Sequence, residues 1–263
     1  MKVMSERFYK MKISVITVCK NAENTIEKTF HSVFNQTYQN IEYIVIDGGS
    51  ADETPSIINK YKNKIGYFIS EPDNGIYEAM NKGINASTGD ILFFLNADDI
   101  LYDENVMQEV VNEFSQTKTD FLYGNLISVY PKNKKEELQK SETIDKFFWM
   151  NQCLCHQVIF YKVDLFKKYG FYDENYKIAA DYDFNLRAII KNKCKTYYFD
   201  RIISKFTMGG YGQSNKDIYV KEQREISVKY FGGVKIKFKE FLFKNCRSII
   251  RIKFLRKLIN LFF

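Results

Sequence analysis

Three prolines, two histidines and one tryptophan are spread over 263 residues, together with only thirteen glycines. That poverty excludes collagen-like and linker-rich architectures. No run of about 20 uninterrupted apolar residues occurs, so no transmembrane helix is expected. The opening MKVMSERFYKMK lacks the apolar stretch of about 7–15 residues that an export signal needs. Residues 1–11, which precede the first strand-like run, read as an N-terminal extension. Five cysteines, an odd number in a chain large enough to bury a core, read as reduced thiols of a cytosolic protein. Cys153, Cys155 and His156 lie close together, but no second ligand cluster accompanies them, and a structural zinc site is not expected.

Apolar residues make up 45% and charged residues 27% of the chain, which is ordinary globular composition. Aromatics reach 16%, with 23 Phe and 19 Tyr, enough for a large core and some phenolic surface for a polar, ring-shaped ligand. The net charge of +7 is local: residues 233–263 hold nine Lys/Arg against one acid, Glu240. The remaining body is close to neutral, which argues against a nucleic-acid binder, whose basic footprint would cover the domain.

Through residue 130 the pattern alternates. KISVITV (12–18), IEYIVID (41–47), IGYFIS (65–70), DILFFLN (90–96) and DFLYGNLISVY (120–130) read as strands. Between the first two, Ile26, Phe30, Val33 and Phe34 recur at helical spacing. Thr54 and Pro55 read as N-cap and first residue of a helix, a further helix is expected over 76–85, and Asp103 reads as the cap of a helix over 104–114. Residues 131–150 read as a surface excursion. A helix near 181–191 and a strand at 196–200 complete the reading. Apolar strands each followed by a helix imply an α/β fold with a mostly parallel sheet flanked by helices. Ligands then bind beyond the carboxyl ends of the strands.

Two polar clusters fall just there: Asp47-Gly48-Gly49-Ser50 and Asn96-Ala97-Asp98-Asp99. Adjacent carboxylates repel, and a divalent cation relieves the repulsion; Mg²⁺ or Mn²⁺ prefers such hard oxygen ligands and shares its shell with substrate phosphates. The bland alternative is a loop with a helix-capping acid. Glycines after Asp47 let backbone approach a ligand, although a turn would need them too. The first strand-to-helix turn has no GxGxxG, which disfavours a dinucleotide fold.

The segments SVITVCKNAENTIEKTFHSVFNQTYQNIEYIVIDGGSADET, EPDNGIYEAMNKGINASTGDILFFLNADD, CHQVIFYK and GFYDENYKIAADYDFNLR resemble, in family order and over roughly residues 12–190, the family 2 glycosyltransferases. The second segment is similar to the branch that assembles bacterial O-antigen and other surface polysaccharides. The resemblance implies a GT-A fold, a nucleotide diphosphate-sugar donor and transfer to a hydroxyl with inversion. It implies that Asp47 reads the base, that Asp98 touches ribose, and that Asp98 and Asp99 hold Mg²⁺ or Mn²⁺ on the diphosphate. Asn96 and Met80 stand where many relatives have Asp and Arg. Lys82 is implied as a donor-side positive charge and His156 as a contact to donor phosphate or metal, with a structural histidine as the alternative. Asp181 falls on the catalytic base, with Ala180 at a position where many relatives have Glu; Asp183 ranks behind it. Inversion needs one base opposite the leaving group.

The expected organisation is therefore an extension (1–11), a GT-A domain (12–232, with 12–130 binding the donor and 131–232 on the acceptor side) and a basic amphipathic helical tail (233–263). In the tail Phe238, Phe241, Leu242, Ile249, Ile252, Leu255, Ile259 and Phe262 fall near one helical face, a pattern suited to the headgroup plane of an anionic membrane. The implied acceptor is a lipid-linked saccharide, and the expected location is the inner face of the cell membrane. Two other classes stay open: a nucleotide-sugar-binding protein without transfer activity, and an adaptor that uses the basic tail.

Overall fold

A computed structural model describes residues 11–142, 144–237, 240 and 256; the readings for residues 1–10 and for most of the basic tail lie outside them. Four apolar runs, β1 (Ile13–Cys19), β2 (Ile41–Asp47), β3 (Tyr67–Ser70) and β4 (Ile91–Phe94), pair in parallel in the order β3-β2-β1-β4. Every residue of β1 and β4 is buried, as central strands covered on both faces must be. The other side of the sheet is mixed. It contains β5 (Ile100–Leu101), β6 (Phe121–Tyr130), β7 (Lys135–Gln139), β8 (Ile159–Lys162) and β9 (Thr196–Thr207). β8 runs antiparallel between β4 and β6, while β6 and β9 are parallel. Strands from both halves of the chain thus share one nine-stranded sheet.

The helices are α1 (Ile26–Phe34), α2 (Thr54–Lys60), α3 (Ile76–Ala86), α4 (Val106–Thr117), α5 (Lys146–Trp149), α6 (Asp164–Tyr169), α7 (Ala180–Leu186), α8 (Tyr211–Ser214) and α9 (Lys216–Phe231). α1 buries Ile26, Thr29, Phe30 and Val33, the one-sided spacing of a helix lying on a sheet. α3 lies closely on β1 because Gly83 meets Ile16; a side-chain Cβ at 83 would overlap the Ile16 methyl.

Several local expectations need correction. Thr54 is the first residue of α2, not its cap: Asp52 Oδ1 accepts the Thr54 N–H at 3.0 Å, and the Thr54 hydroxyl accepts from Ala22 N at 2.7 Å, tying α2 to the β1–α1 loop. Asp103 is not the residue next to α4, which starts at Val106 after Asn105; its Oδ1 accepts Asn105 N at 3.0 Å in the preceding turn, and its carboxylate takes both 2.7 Å bonds from the Arg201 guanidinium. Residues 131–150 are not all surface. β7 folds back on β6, and Trp149 and Met150 are buried. The strand expected at 196–200 runs on to Thr207, and α7 passes into a π-helical turn at Arg187–Lys191.

The acceptor-side half is packed by rings. Phe166 and Phe184 stack at 4.1 Å between centroids, and Tyr161 and Tyr172 meet both edge-on. This cluster lies under α7, so Phe184→Ala would cost about 3–5 kcal/mol and loosen the helix that carries Asp181.

Candidate active site

The carboxyl ends of β1, β2 and β4 come together at one edge of the sheet, where Cys19 pairs in register with Asp47 and Leu95 N bonds Ile16 O. Asp47 is fully buried there. Its Oδ2 accepts Ser50 N at 3.1 Å and the Ser70 hydroxyl at 2.5 Å, while Oδ1 accepts the Ser50 hydroxyl and the Cys19 thiol. The carboxylate therefore joins three strand ends, and the bonds described for it all come from protein groups at the ends of β1, β2 and β3. Burial first, and Asp47 second, push the Cys19 thiol far up, so it stays a protonated donor.

Asp73, just past the end of β3, is the half-buried carboxylate beside Gly48. Gly48 makes room for it: a side chain at 48 would overlap the Asp73 carboxylate. Asp73 accepts Gly75 N at 3.1 Å and stays half-buried. Burial raises its pKa, against the Gly75 N–H and the Lys20 charge. Its signal was available, since it lies just past the end of β3, as Asp47 lies at the end of β2. Lys82 is engaged by Glu71 and Glu78, each at 2.8 Å, and these hydrogen bonds hold its pKa above the usual lysine value. Met80, within α3, is buried.

The two adjacent acids after β4 diverge. Asp99 is fully buried; Oδ2 accepts Gln157 Nε2 at 2.7 Å and Oδ1 accepts Thr207 N at 2.9 Å. Burial, then the Asp98 charge, push its pKa well up. Asp99 thus locks the His156–Val158 turn and the end of β9 to β4. Asp98 keeps partial exposure. Its carbonyl accepts the Thr207 hydroxyl at 2.6 Å, and burial raises the pKa of its carboxyl against its own backbone N–H and the nearby His156. A half-buried carboxylate suits a hard cation that completes its shell with phosphate oxygens. Among the described residues no group of three or more His, Cys, Asp or Glu is arranged to hold a metal by itself.

His156 joins the two halves. Nδ1 lies 3.3 Å from Asp181 Oδ2, and Nε2 lies 3.2 Å from Asn96 Oδ1. An imidazolium donates to both; a neutral ring does so to Asp181 and accepts from Asn96 once that amide turns over. Asp181, in the first turn of α7, is mostly buried, with its side chain 13% exposed. Its Oδ1 accepts Tyr182 N at 2.8 Å and lies 3.1 Å from the Tyr77 hydroxyl. Asp183 is excluded from the cleft: it is buried and bound by Arg187, Lys229 and Tyr230 at 3.2, 2.7 and 3.1 Å. Burial raises the Cys153 and Cys155 thiols, so neither is a nucleophile or ready metal ligand.

The model of the family described as Glycosyl transferase family 2 matches residues 14–170. The chain belongs to that family. The glycosyltransferase is 31% identical over 206 residues to a "PGL/p-HBAD biosynthesis glycosyltransferase" of Mycobacterium bovis, covering 77% of this chain and 78% of the relative. It is also 31% identical over 231 residues to an uncharacterized glycosyltransferase of Mycobacterium tuberculosis, covering 85% and 87%. Among solved structures, S. aureus TarS 1–349 in complex with UDP-GlcNAc superposes with a TM-score of 0.67 at 19% identity, over 84% of this chain and 72% of that one. Against TarS 1–349 alone, the match covers 65% of that chain. The mannosyltransferase PcManGT from Pyrobaculum calidifontis, in complex with GDP-Man and Mn²⁺, gives 0.61 at 14% identity, over 96% and 70%. The fold of the glycosyltransferase is GT-A, as its motifs implied.

Proposed function

We propose that this glycosyltransferase moves a sugar from a nucleotide diphosphate-sugar to a hydroxyl of a lipid-linked saccharide during assembly of bacterial surface polysaccharide, with inversion at the anomeric carbon. The observation that carries the reading is the single carboxylate, Asp181, held by His156 to the strand end that bears Asp98. Residues 12–130 hold the donor and residues 131–232 supply the acceptor side. Asp73, across Gly48, accepts an N–H of the base. Lys20 adds positive charge on the donor side, whereas Lys82 acts through Glu71 and Glu78.

Asp98 is the residue that would hold Mg²⁺ or Mn²⁺ on the diphosphate, and a bound ion would neutralise charge on the departing group. Asp99 contributes by fixing the Asp98 backbone. The acceptor oxygen attacks the anomeric carbon as the bond from that carbon to the phosphate oxygen breaks, and its proton passes to Asp181. A base so placed contributes about 10²–10⁴-fold. TarS and PcManGT, whose structures hold UDP-GlcNAc and GDP-Man, support a nucleotide-sugar donor. The nine Lys and Arg residues of 233–263, each worth about 1 kcal/mol at an anionic surface, support a membrane-borne acceptor. In this reading these basic residues would hold the enzyme at the inner face of the membrane. No helix of the described residues is long and apolar enough to cross it.

The test is a thermal-shift panel of UDP-GlcNAc, UDP-glucose, UDP-galactose and GDP-mannose, each with and without Mn²⁺, followed by nucleoside diphosphate release with the stabilising donor. Stabilisation by one donor, enhanced by Mn²⁺, with nucleoside diphosphate released on turnover, is expected. Stabilisation without release, whatever acceptor is supplied, would instead support a binding protein without transfer activity.

A further inference from the structure

Helix α9 holds the segment that presents Asp181. Glu222, buried to 8% exposure, accepts three successive backbone N–H groups: Lys177 at 2.7 Å on one oxygen, Ile178 and Ala179 at 3.0 Å each on the other. Hydrogen bonds to an ionised acceptor are about twice as strong as neutral ones, and three converging on one carboxylate leave these peptides little freedom. The carbonyl between them is fixed as well, since Ile178 O accepts the Tyr77 hydroxyl at 2.5 Å. Ala179 O then accepts Asp183 N at 3.1 Å, the first bond of α7.

The same helix grips the other side of Asp181. Ser227 lies 3.0 Å from the Tyr182 hydroxyl, and Lys229 and Tyr230 bind Asp183. Asp181 is thus bracketed by neighbours that all answer to α9, forty residues on in the chain. Its own oxygens meet only Tyr182 N, Tyr77 and His156 among the bonds described, so the height of its carboxylate follows the backbone that Glu222 fixes.

We infer that Glu222 is a positioning residue for sugar transfer: through the Lys177–Ala179 peptides it sets where the Asp181 carboxylate meets the acceptor oxygen. The inference rests on the reading of Asp181 as the base, and the test separates the two. Glu222→Gln replaces one acceptor oxygen with an amide that cannot accept the same N–H groups. Nucleoside diphosphate release is measured on the full chain with Mn²⁺ and whichever donor of the four-member panel turns over fastest, with water as the acceptor. The variants are Glu222→Gln, Asp181→Asn and the double variant; Glu222→Asp replaces Glu222→Gln if the latter does not fold.

A displacement of about 1 Å at a reacting group costs on the order of 10²-fold, so kcat of Glu222→Gln is expected to fall by about 10- to 100-fold with donor KM little changed. The double variant is expected to be no slower than Asp181→Asn alone, because a group that acts through Asp181 has nothing left to position. An unchanged kcat, or a loss that multiplies onto that of Asp181→Asn, overturns the inference. Wild-type rates for Asp181→Asn would instead overturn the base assignment, and the Glu222 inference with it.

Discussion

The imidazole of His156 stands between Asp181 and Asn96, 3.3 Å from the carboxylate and 3.2 Å from the amide. Both ring nitrogens have protein partners, so the ring orients Asp181, the proposed base. Replacing His156 with Ala is expected to lower kcat by about 10- to 100-fold, the usual effect of removing a residue that orients a ligating or reacting side chain, while donor affinity by titration calorimetry stays within about twofold. The opposite split, affinity lost and kcat kept, would return His156 to the donor contact its motif suggested.

Gly48 and Asp73 form a second pair whose fit is testable. Gly48→Ala puts a methyl where the Asp73 carboxylate lies, and Asp73→Ala removes the acceptor itself. Both variants are expected to weaken binding of free nucleoside diphosphate by about tenfold or more, as loss of a buried bond to a charged group costs about 1.5–3 kcal/mol. Asp47→Asn is expected to lower the melting temperature instead, because its oxygens serve Ser50 and Ser70.

Stability should depend on pH through Glu42. Burial raises its pKa, but bonds from Lys12, Ser14 and Thr88 at 2.6–2.8 Å outweigh it and hold the group at about 2, below an ordinary value of 4.5. A depressed carboxylate contributes stability that is fully present above its unfolded pKa and is lost as pH falls through the folded one. The wild type is therefore expected to lose melting temperature between pH 4.5 and pH 2 more steeply than Glu42→Gln, which starts lower at pH 7. Parallel curves for the two proteins would contradict this.

How far the sequence spoke for itself varies with the range of the interactions. β1, α1 and β2 were legible because their apolar spacing is local: β1 is buried throughout, β2 along most of its length, and α1 along one face. β9 was read short because most of its residues are only half-buried and its length is set by β6. Trp149 is buried by contacts with Phe148 and Tyr182, the latter far along the chain, so charged neighbours made its segment look external.

At the site, Asp98, Asp99 and Asp181 were found as residue types after strand ends or at a helix start. Their different tasks were not legible. Gln157 and Thr207 claim Asp99, Ser70 claims Asp47, and Glu222 supports Asp181 from a distant helix. Each of these partners comes from another element, and single-sequence spacing carries no trace of it.

The central claim is that Asp181 takes the acceptor proton and does not hold the donor. Transfer and donor binding measured side by side for Asp181→Asn test it most directly. Donor affinity within about twofold of wild type, with kcat lower by about 10²–10⁴-fold, is the predicted result. Transfer by Asp181→Asn at close to the wild-type rate, or a loss of activity explained entirely by lost donor binding, would contradict it.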